Sequence, residues 1–262
     1  MKPVHYVILN PSGNLTALVT DRERHEDENG IVASLMQESE QVAFLDPPSE
    51  PGALARIRLM GGEFCGNAAM AAAGWLIRDN LRNGQVMTVP IEVSGAQGIV
   101  FCRIRGLETG FEGTVDMPRV LEISRENVSG TDVTVVRMEG IMHLIRESCK
   151  PIGKKEAETL LKAYAERSQD PAVGLLDRNP DTGFVRPLVY VRGSGTLVWE
   201  TACGSGAAAV GALEAWRQGT GTVRTEVPQP GGKLLAEATA EQGIVQEVRI
   251  TGTVRIEEEK AM

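Results

Sequence analysis

Glu63-Phe64-Cys65-Gly66-Asn67-Ala68-Ala69 and Glu200-Thr201-Ala202-Cys203-Gly204-Ser205-Gly206-Ala207 decide the reading of this chain. Each stretch sets a cysteine and a glycine directly before an Ala-rich apolar run, Gly66 to Leu81 in the first and Gly204 to Arg217 in the second. Ala, Leu and Met favour helix, and Gly84 and Gly219 stop the two runs. Each predicted helix is followed by a strand that ends in a Gly-containing corner. The corners are Pro90-Ile91-Glu92-Val93-Ser94-Gly95 and Val227-Pro228-Gln229-Pro230-Gly231-Gly232. Cysteine and corner glycine are 30 residues apart in the first half and 28 in the second. A unit that recurs at such matched spacing predicts two related modules. The boundary falls near Met117-Pro118. This gives residues 1–117 with Cys65 and 118–262 with Cys203, the last strand being free to return to the first half.

Short β-rich runs bounded by Gly, Pro and Asp fill much of the rest. Val4 to Leu9, Leu15 to Thr20, Gln41 to Leu45, Gln85 to Val93, Val133 to Met138, Ile141 to Arg146 and Val245 to Ile256 are examples. Two further helical patterns cover Gly30 to Glu38 and Lys154 to Arg167. Strands this dense predict an α+β fold with mostly antiparallel pairing.

Composition excludes several function classes. The chain has 262 residues, 42% hydrophobic and 24% charged, with a net charge of −8. That balance belongs to a globular protein, not a disordered one. Net negative charge leaves no electrostatic footprint for nucleic acid or an anionic membrane, and the low aromatic content argues against base stacking. No apolar run approaches the roughly 18 residues of a membrane span, and Val7-Ile8-Leu9 is too short for an export signal. The cytoplasm is therefore the expected compartment, with Cys65, Cys102, Cys149 and Cys203 reduced. No two of these form a C-x-x-C pair, and there are three histidines, so no metal site is expected. The assembly is left open, a homodimer included.

A helix N-terminus offers unpaired N–H groups and partial positive charge. Both stabilise a thiolate, which predicts a lowered thiol pKa at Cys65 and Cys203. The same N–H groups, at Gly66, Asn67, Gly204 and Ser205, suit a carboxylate. Two such helix starts brought face to face predict one reaction: one thiolate takes a proton from a carbon acid and the other thiol returns one to the opposite face. That chemistry needs no pyridoxal phosphate or other cofactor. Taken singly, a Cys-Gly before an Ala-rich helix reads as a small buried residue in a tight turn. Its recurrence in matching halves favours the functional reading. Cys102, in an apolar strand, and Cys149, in a polar connection, read as structural.

With these motifs the chain resembles the cofactor-independent amino-acid racemases and epimerases typified by diaminopimelate epimerase. Their paired signatures appear here as Cys65-Gly66-Asn67 and Ala202-Cys203-Gly204-Ser205-Gly206. The resemblance spans the chain and implies two pseudo-symmetric domains, each a barrel-like sheet around a central helix. The chain departs from the epimerase after Asn67, with Ala68-Ala69-Met70 in place of Gly-Ala-Arg. It departs again at Val191-Arg192-Gly193, in place of Glu-Arg-Gly. It is more similar to the histidine racemases of staphylopine-type opine metallophore biosynthesis. The shared stretches include Asn10-Pro11-Ser12-Gly13-Asn14, Glu40-Gln41-Val42, Leu197-Val198-Trp199-Glu200 and Gln229-Pro230-Gly231-Gly232. This resemblance implies a free amino acid as the small-molecule substrate, histidine first.

The remaining candidates have two readings each. Asn14 sits in a polar turn: either a plain hairpin, or an amide that with Asn67 binds the substrate's carboxylate or amine. Glu40 precedes a strand: either a solvated end, or a carboxylate that pairs with a cationic or imidazole side chain. His143 lies in Ile141-Met142-His143-Leu144-Ile145: either a core histidine, or, as the resemblance implies, a group that relays a proton or orients a thiolate. Glu200 either caps strand-end amides, or orients the site or raises the pKa of the Cys203 thiol. A diaminopimelate epimerase, a racemase of another amino acid, a thiol redox protein and a non-catalytic amino-acid-binding module are the rival functions.

Overall fold

The computed structural model describes residues 3–21, 25–193 and 195–262. The chain forms two compact units. One comprises the chain up to Asp116 together with Thr251–Met262, and the other is Met117–Ile250.

The first unit runs β1 (His5–Pro11), β2 (Thr16–Val19), α1 (Glu28–Leu35), β3 (Gln41–Asp46), β4 (Arg56–Leu59), α2 (Gly66–Ile77), β5 (Val86–Val93), β6 (Ile99–Gly106) and β7 (Phe111–Asp116). Its strands lie side by side in chain order. Pairing is antiparallel except at β2–β3 and β4–β5. Parallel neighbours need a crossover, and α1 and α2 supply the two. α2 packs against β1, β2, β4, β5, β6 and β7, so the strands wrap around it. Such a helix must be apolar on every side, and Gly66, Asn67 and Ala68 through Gly74 are all buried. The small side chains let the strands come close. A Cβ on Gly74 would lie 2.0 Å from the Phe111 ring.

The second unit runs β8 (Val120–Val128), β9 (Thr131–Met138), β10 (Ile141–Glu147), α3 (Lys154–Ala165), β11 (Ala172–Arg178), β12 (Val185–Val191), β13 (Thr196–Trp199), α4 (Gly204–Gln218), β14 (Gly221–Gln229), β15 (Gly232–Glu241) and β16 (Ile244–Ala261). Six strands are ordered β13-β12-β11-β10-β9-β8, with β10 and β11 parallel across α3. β14 and β15 form a hairpin, and β15 lies beside β16. α4 packs on β8, β9, β10, β14 and β15, while α3 packs on β11 and β12. The later part of β16 belongs to the first unit. It lies beside β7 and pairs antiparallel with β1, from Pro11 opposite Val254 to His5 opposite Ala261. That pairing closes the strands of the first unit on themselves and leaves no free edge there.

The protein is thus a mostly-sheet α+β fold, as the strand density predicts. Four strands carry no clear sequence signal. In β11, Ala172 through Asp177 are all buried, so no alternation marks it, and Gly174 interrupts it. β15 turns Leu234, Ala236, Ala238 and Ala240 inward. Alanine is a poor strand former, but a larger residue would not fit: a Cβ added to Gly211 of α4 already lies 2.7 Å from that of Ala236. β4 is four residues long, and most of β8 is polar and lies at or near the surface.

Candidate active site

Cys65 and Cys203 are the N-cap residues of α2 and α4, both with extended backbone. At Cys203 the thiol itself acts as the cap, with Sγ accepting from Gly206 N–H at 3.3 Å. None of the four cysteines is in a disulfide. Each of the two Gly-containing corners grips the turn just before its helix. In the second unit Gln229 bonds both backbone groups of Cys203, and Gly231 N–H donates to Thr201 C=O at 2.8 Å. In the first unit Ser94 donates its hydroxyl to Glu63 C=O at 2.8 Å and accepts from Leu59 N–H at 2.9 Å. Gly95, at φ 74°, lies so near the chain there that a Cβ would fall 2.3 Å from Phe64 N. Ser94 and Gln229 lie inside the two corner stretches, yet a motif of turn residues does not say what its side chains hold.

Around Cys203 the structure gathers three of the candidate residues. Ser205 Oγ lies 3.4 Å from the thiol and 2.9 Å from His143 Nε2. Glu200 hydrogen-bonds the thiol. His143 is fully buried on β10, and burial pulls its pKa down to about 3. Its Nδ1 has no hydrogen-bond partner and faces Gly174 of the paired strand β11. The lowered thiol pKa expected from the helix N-terminus does not hold at Cys203. Burial, then the charge and hydrogen bond of Glu200, push the thiol well up, outweighing Ser205 and the Gly206 N–H.

In the first unit Cys65 is half-buried and Asn67 is buried on the first turn of α2. Glu63, two residues before the thiol, has a buried Oε2 with no hydrogen-bond partner, and burial raises its pKa. Sequence reasoning did not single it out. The parallel pairing of β2 and β3 brings Asn14 and Glu40 together, Asn14 Nδ2 donating to Glu40 Oε2 at 2.9 Å. Gln41 Nε2 donates to Asn14 Oδ1 and to Thr16 Oγ1, both at 2.7 Å. Asn14 is buried by this network, so the turn is more than a hairpin.

The other thiols stand apart in character. Cys102 is buried in β6, where burial drives its pKa to about 12. Cys149 is exposed, 3.3 Å from Asp181 Oδ2. Among the described residues no cluster of His, Cys, Asp and Glu is arranged to hold a metal ion. Nor is any helix among them long and apolar enough to cross a membrane.

Comparison with known proteins places this arrangement. A predicted epimerase of Pseudomonas aeruginosa shares the fold at a TM-score of 0.70 and 18% identity, covering 99% of each chain. A histidine racemase of Fusobacterium nucleatum subsp. nucleatum is 28% identical, covering 87% of this chain and 86% of its own. A histidine racemase of Staphylococcus aureus is 27% identical, covering 94% of this chain and 92% of its own. The class these define is that of the amino-acid racemases and epimerases, and the protein is an isomerase of amino acids. The family model described as the histidine racemase CntK N-terminal domain matches residues 3–261, and the chain belongs to that family.

Proposed function

We propose that the protein interconverts L- and D-histidine by a two-base mechanism in which Cys65 and Cys203 are the two bases. One thiolate removes the α-proton, and the other thiol protonates the opposite face. The N–H groups at the starts of α2 and α4, with Asn67 and Ser205, take up the negative charge that grows toward the carboxylate. No pyridoxal phosphate is needed for a proton acidified in this way. Reversal exchanges the roles of the two thiols, so each must work as base and as acid. Burial and Glu200 hold Cys203 as the thiol, which suits it as the proton donor in one of the two directions.

The observation that carries this reading is the same placement of both cysteines. Each caps a buried Ala-rich helix, and each unit's corner grips the turn leading into it. Helix ends alone would serve a binding module, but two ionisable thiols at two such ends supply both halves of an inversion. Histidine is proposed because the relatives named above are histidine racemases and because Glu40 offers a carboxylate to an imidazole. D-histidine is then the product available to opine metallophore synthesis, in line with the sequence resemblance.

The test is incubation in deuterium oxide with each common amino acid and with diaminopimelate, read by chiral separation and mass. Histidine should racemise and gain one deuterium at the α-carbon. Inversion of diaminopimelate with histidine untouched would assign the epimerase activity instead. No exchange on any substrate would leave the binding-module and redox readings.

A further inference from the structure

We infer that Ser205 and His143 form a one-way hydrogen-bond chain that donates toward Cys203 Sγ, with His143 acting as a neutral positioning residue. The chain is continuous: Nε2 to Oγ is 2.9 Å and Oγ to Sγ is 3.4 Å. Its direction depends on which ring nitrogen of His143 carries the proton. Nδ1 is sealed against Gly174, where a Cβ would lie 2.2 Å away, and it has no partner. Buried donors without acceptors are rarer than buried acceptors without donors. The proton therefore sits on Nε2, and Nε2–H donates to Ser205 Oγ. The serine O–H is then left to donate to the sulfur.

The surroundings of the pair rule out a proton stored on the imidazole. His143 faces Val136 on β9, Gly174 on β11 and Ser205 on α4, none of them charged. Burial holds the ring neutral to about pH 3. At the sulfur, Glu200 and desolvation favour the thiol, while Ser205 and Gly206 N–H favour the thiolate. Removing a donor from the thiolate side therefore moves Cys203 further toward the thiol form. The chain's value to catalysis rests on the proposed racemisation, but its existence does not.

The experiment therefore reads the thiol directly. Cys65→Ser, Cys102→Ser and Cys149→Ser leave Cys203 as the single thiol, and its alkylation by iodoacetamide is followed against pH. Below the midpoint the rate follows the thiolate fraction. Ser205→Ala should slow alkylation about tenfold, equivalent to one pKa unit. Ser205→Thr should restore it, and His143→Leu should match Ser205→Ala. The double variant should be no slower than either single one. Simple loosening of the site would speed alkylation instead. Unchanged or faster reaction in Ser205→Ala, or losses that multiply in the double variant, would overturn the chain. If the protein inverts no amino acid, the proposed function fails and this result still stands. Normal racemisation beside unchanged alkylation in Ser205→Ala sinks the chain alone.

Discussion

Gln229 holds Cys203 by both backbone groups: its Oε1 accepts from Cys203 N–H at 2.7 Å, and its Nε2 donates to Cys203 C=O at 3.2 Å. The amide thus stands in for a strand neighbour at the point where β13 gives way to α4. Both side-chain bonds are buried. Removing them leaves a buried donor and acceptor unpaired, at about 1–3 kcal/mol each. Gln229→Ala should therefore lower the unfolding free energy by at least about 2 kcal/mol and cut kcat more than KM. Gln229→Glu keeps the acceptor but sets a buried carboxylate oxygen against Cys203 C=O, so urea titration should show it no more stable than Gln229→Ala. A Gln229→Ala protein as stable as wild type would show that the grip contributes nothing.

The two thiols give the second prediction. Serine is a far weaker base at neutral pH, so Cys65→Ser and Cys203→Ser should each abolish most racemisation. Cys102→Ser and Cys149→Ser should retain it. Exchange of the α-proton with deuterium adds detail. Each single variant should exchange one enantiomer faster than it inverts it, and the two variants should favour opposite enantiomers. Wild-type racemisation in Cys65→Ser is the outcome the two-base scheme does not survive.

How far the sequence reveals this site is clear at particular residues. Cys65, Cys203 and the two corners announce themselves because helix starts and Gly-rich turns are local, and local chemistry leaves local patterns. The gathering of Ser205 and His143 beside Cys203 is legible only through resemblance, since they lie 62 residues apart. Gly174 has no sequence signal at all. A lone glycine in a strand reads as a bulge or a close approach, and only the pairing of His143 with Gly174 identifies the neighbour. The direction of the Cys203 shift is hidden for a similar reason. A helix N-terminus can be seen in the sequence, but the depth of burial around a thiol cannot.

Gly174 supplies a third test. Adding a methyl group there places it 2.2 Å from His143 Nδ1 in a strand with no room to yield. Overpacking of this kind costs about 1–3 kcal/mol. Gly174→Ala should lower the thermal midpoint and lose activity. Gly174→Ala combined with His143→Ala should recover much of the stability but not the activity. If the double variant is less stable than both single ones, the contact is not the cause.

His143 also sets a pH dependence of stability. Its ordinary pKa is about 6.5, and the folded value is about 3. Between these values the unfolded chain binds a proton that the folded protein refuses. Stability is therefore fully present above about pH 6.5 and is lost as the pH falls toward 3. The slope approaches about 1.4 kcal/mol per pH unit. His143→Gln cannot titrate, so its unfolding free energy should fall less steeply than wild type between pH 6 and pH 4, by about that amount per unit. Parallel curves for the two proteins would mean that the ring is hydrated and protonated in the folded state.

Glu40 carries the prediction about substrate choice. In the proposed mechanism the helix ends and Asn67 address the α-carboxylate, which all amino acids share, so discrimination comes from elsewhere. Glu40 is anchored through Asn14, and Gln41 in turn holds Asn14 in place. A carboxylate fixed in this way loses little freedom on accepting an imidazole N–H. Such a charge-assisted bond contributes about 1.5–3 kcal/mol, or one to two orders of magnitude in rate. Glu40→Ala also removes the partner of Asn14 Nδ2 and so mixes two effects. Glu40→Gln separates them, because its carbonyl oxygen still accepts from Asn14 while the charge is gone. Glu40→Gln should lower kcat/KM for histidine at least tenfold, while α-deuterium exchange into alanine changes much less. An equal loss on both substrates would move Glu40 from reading the side chain to supporting Asn14. No loss on either would place the imidazole against another group.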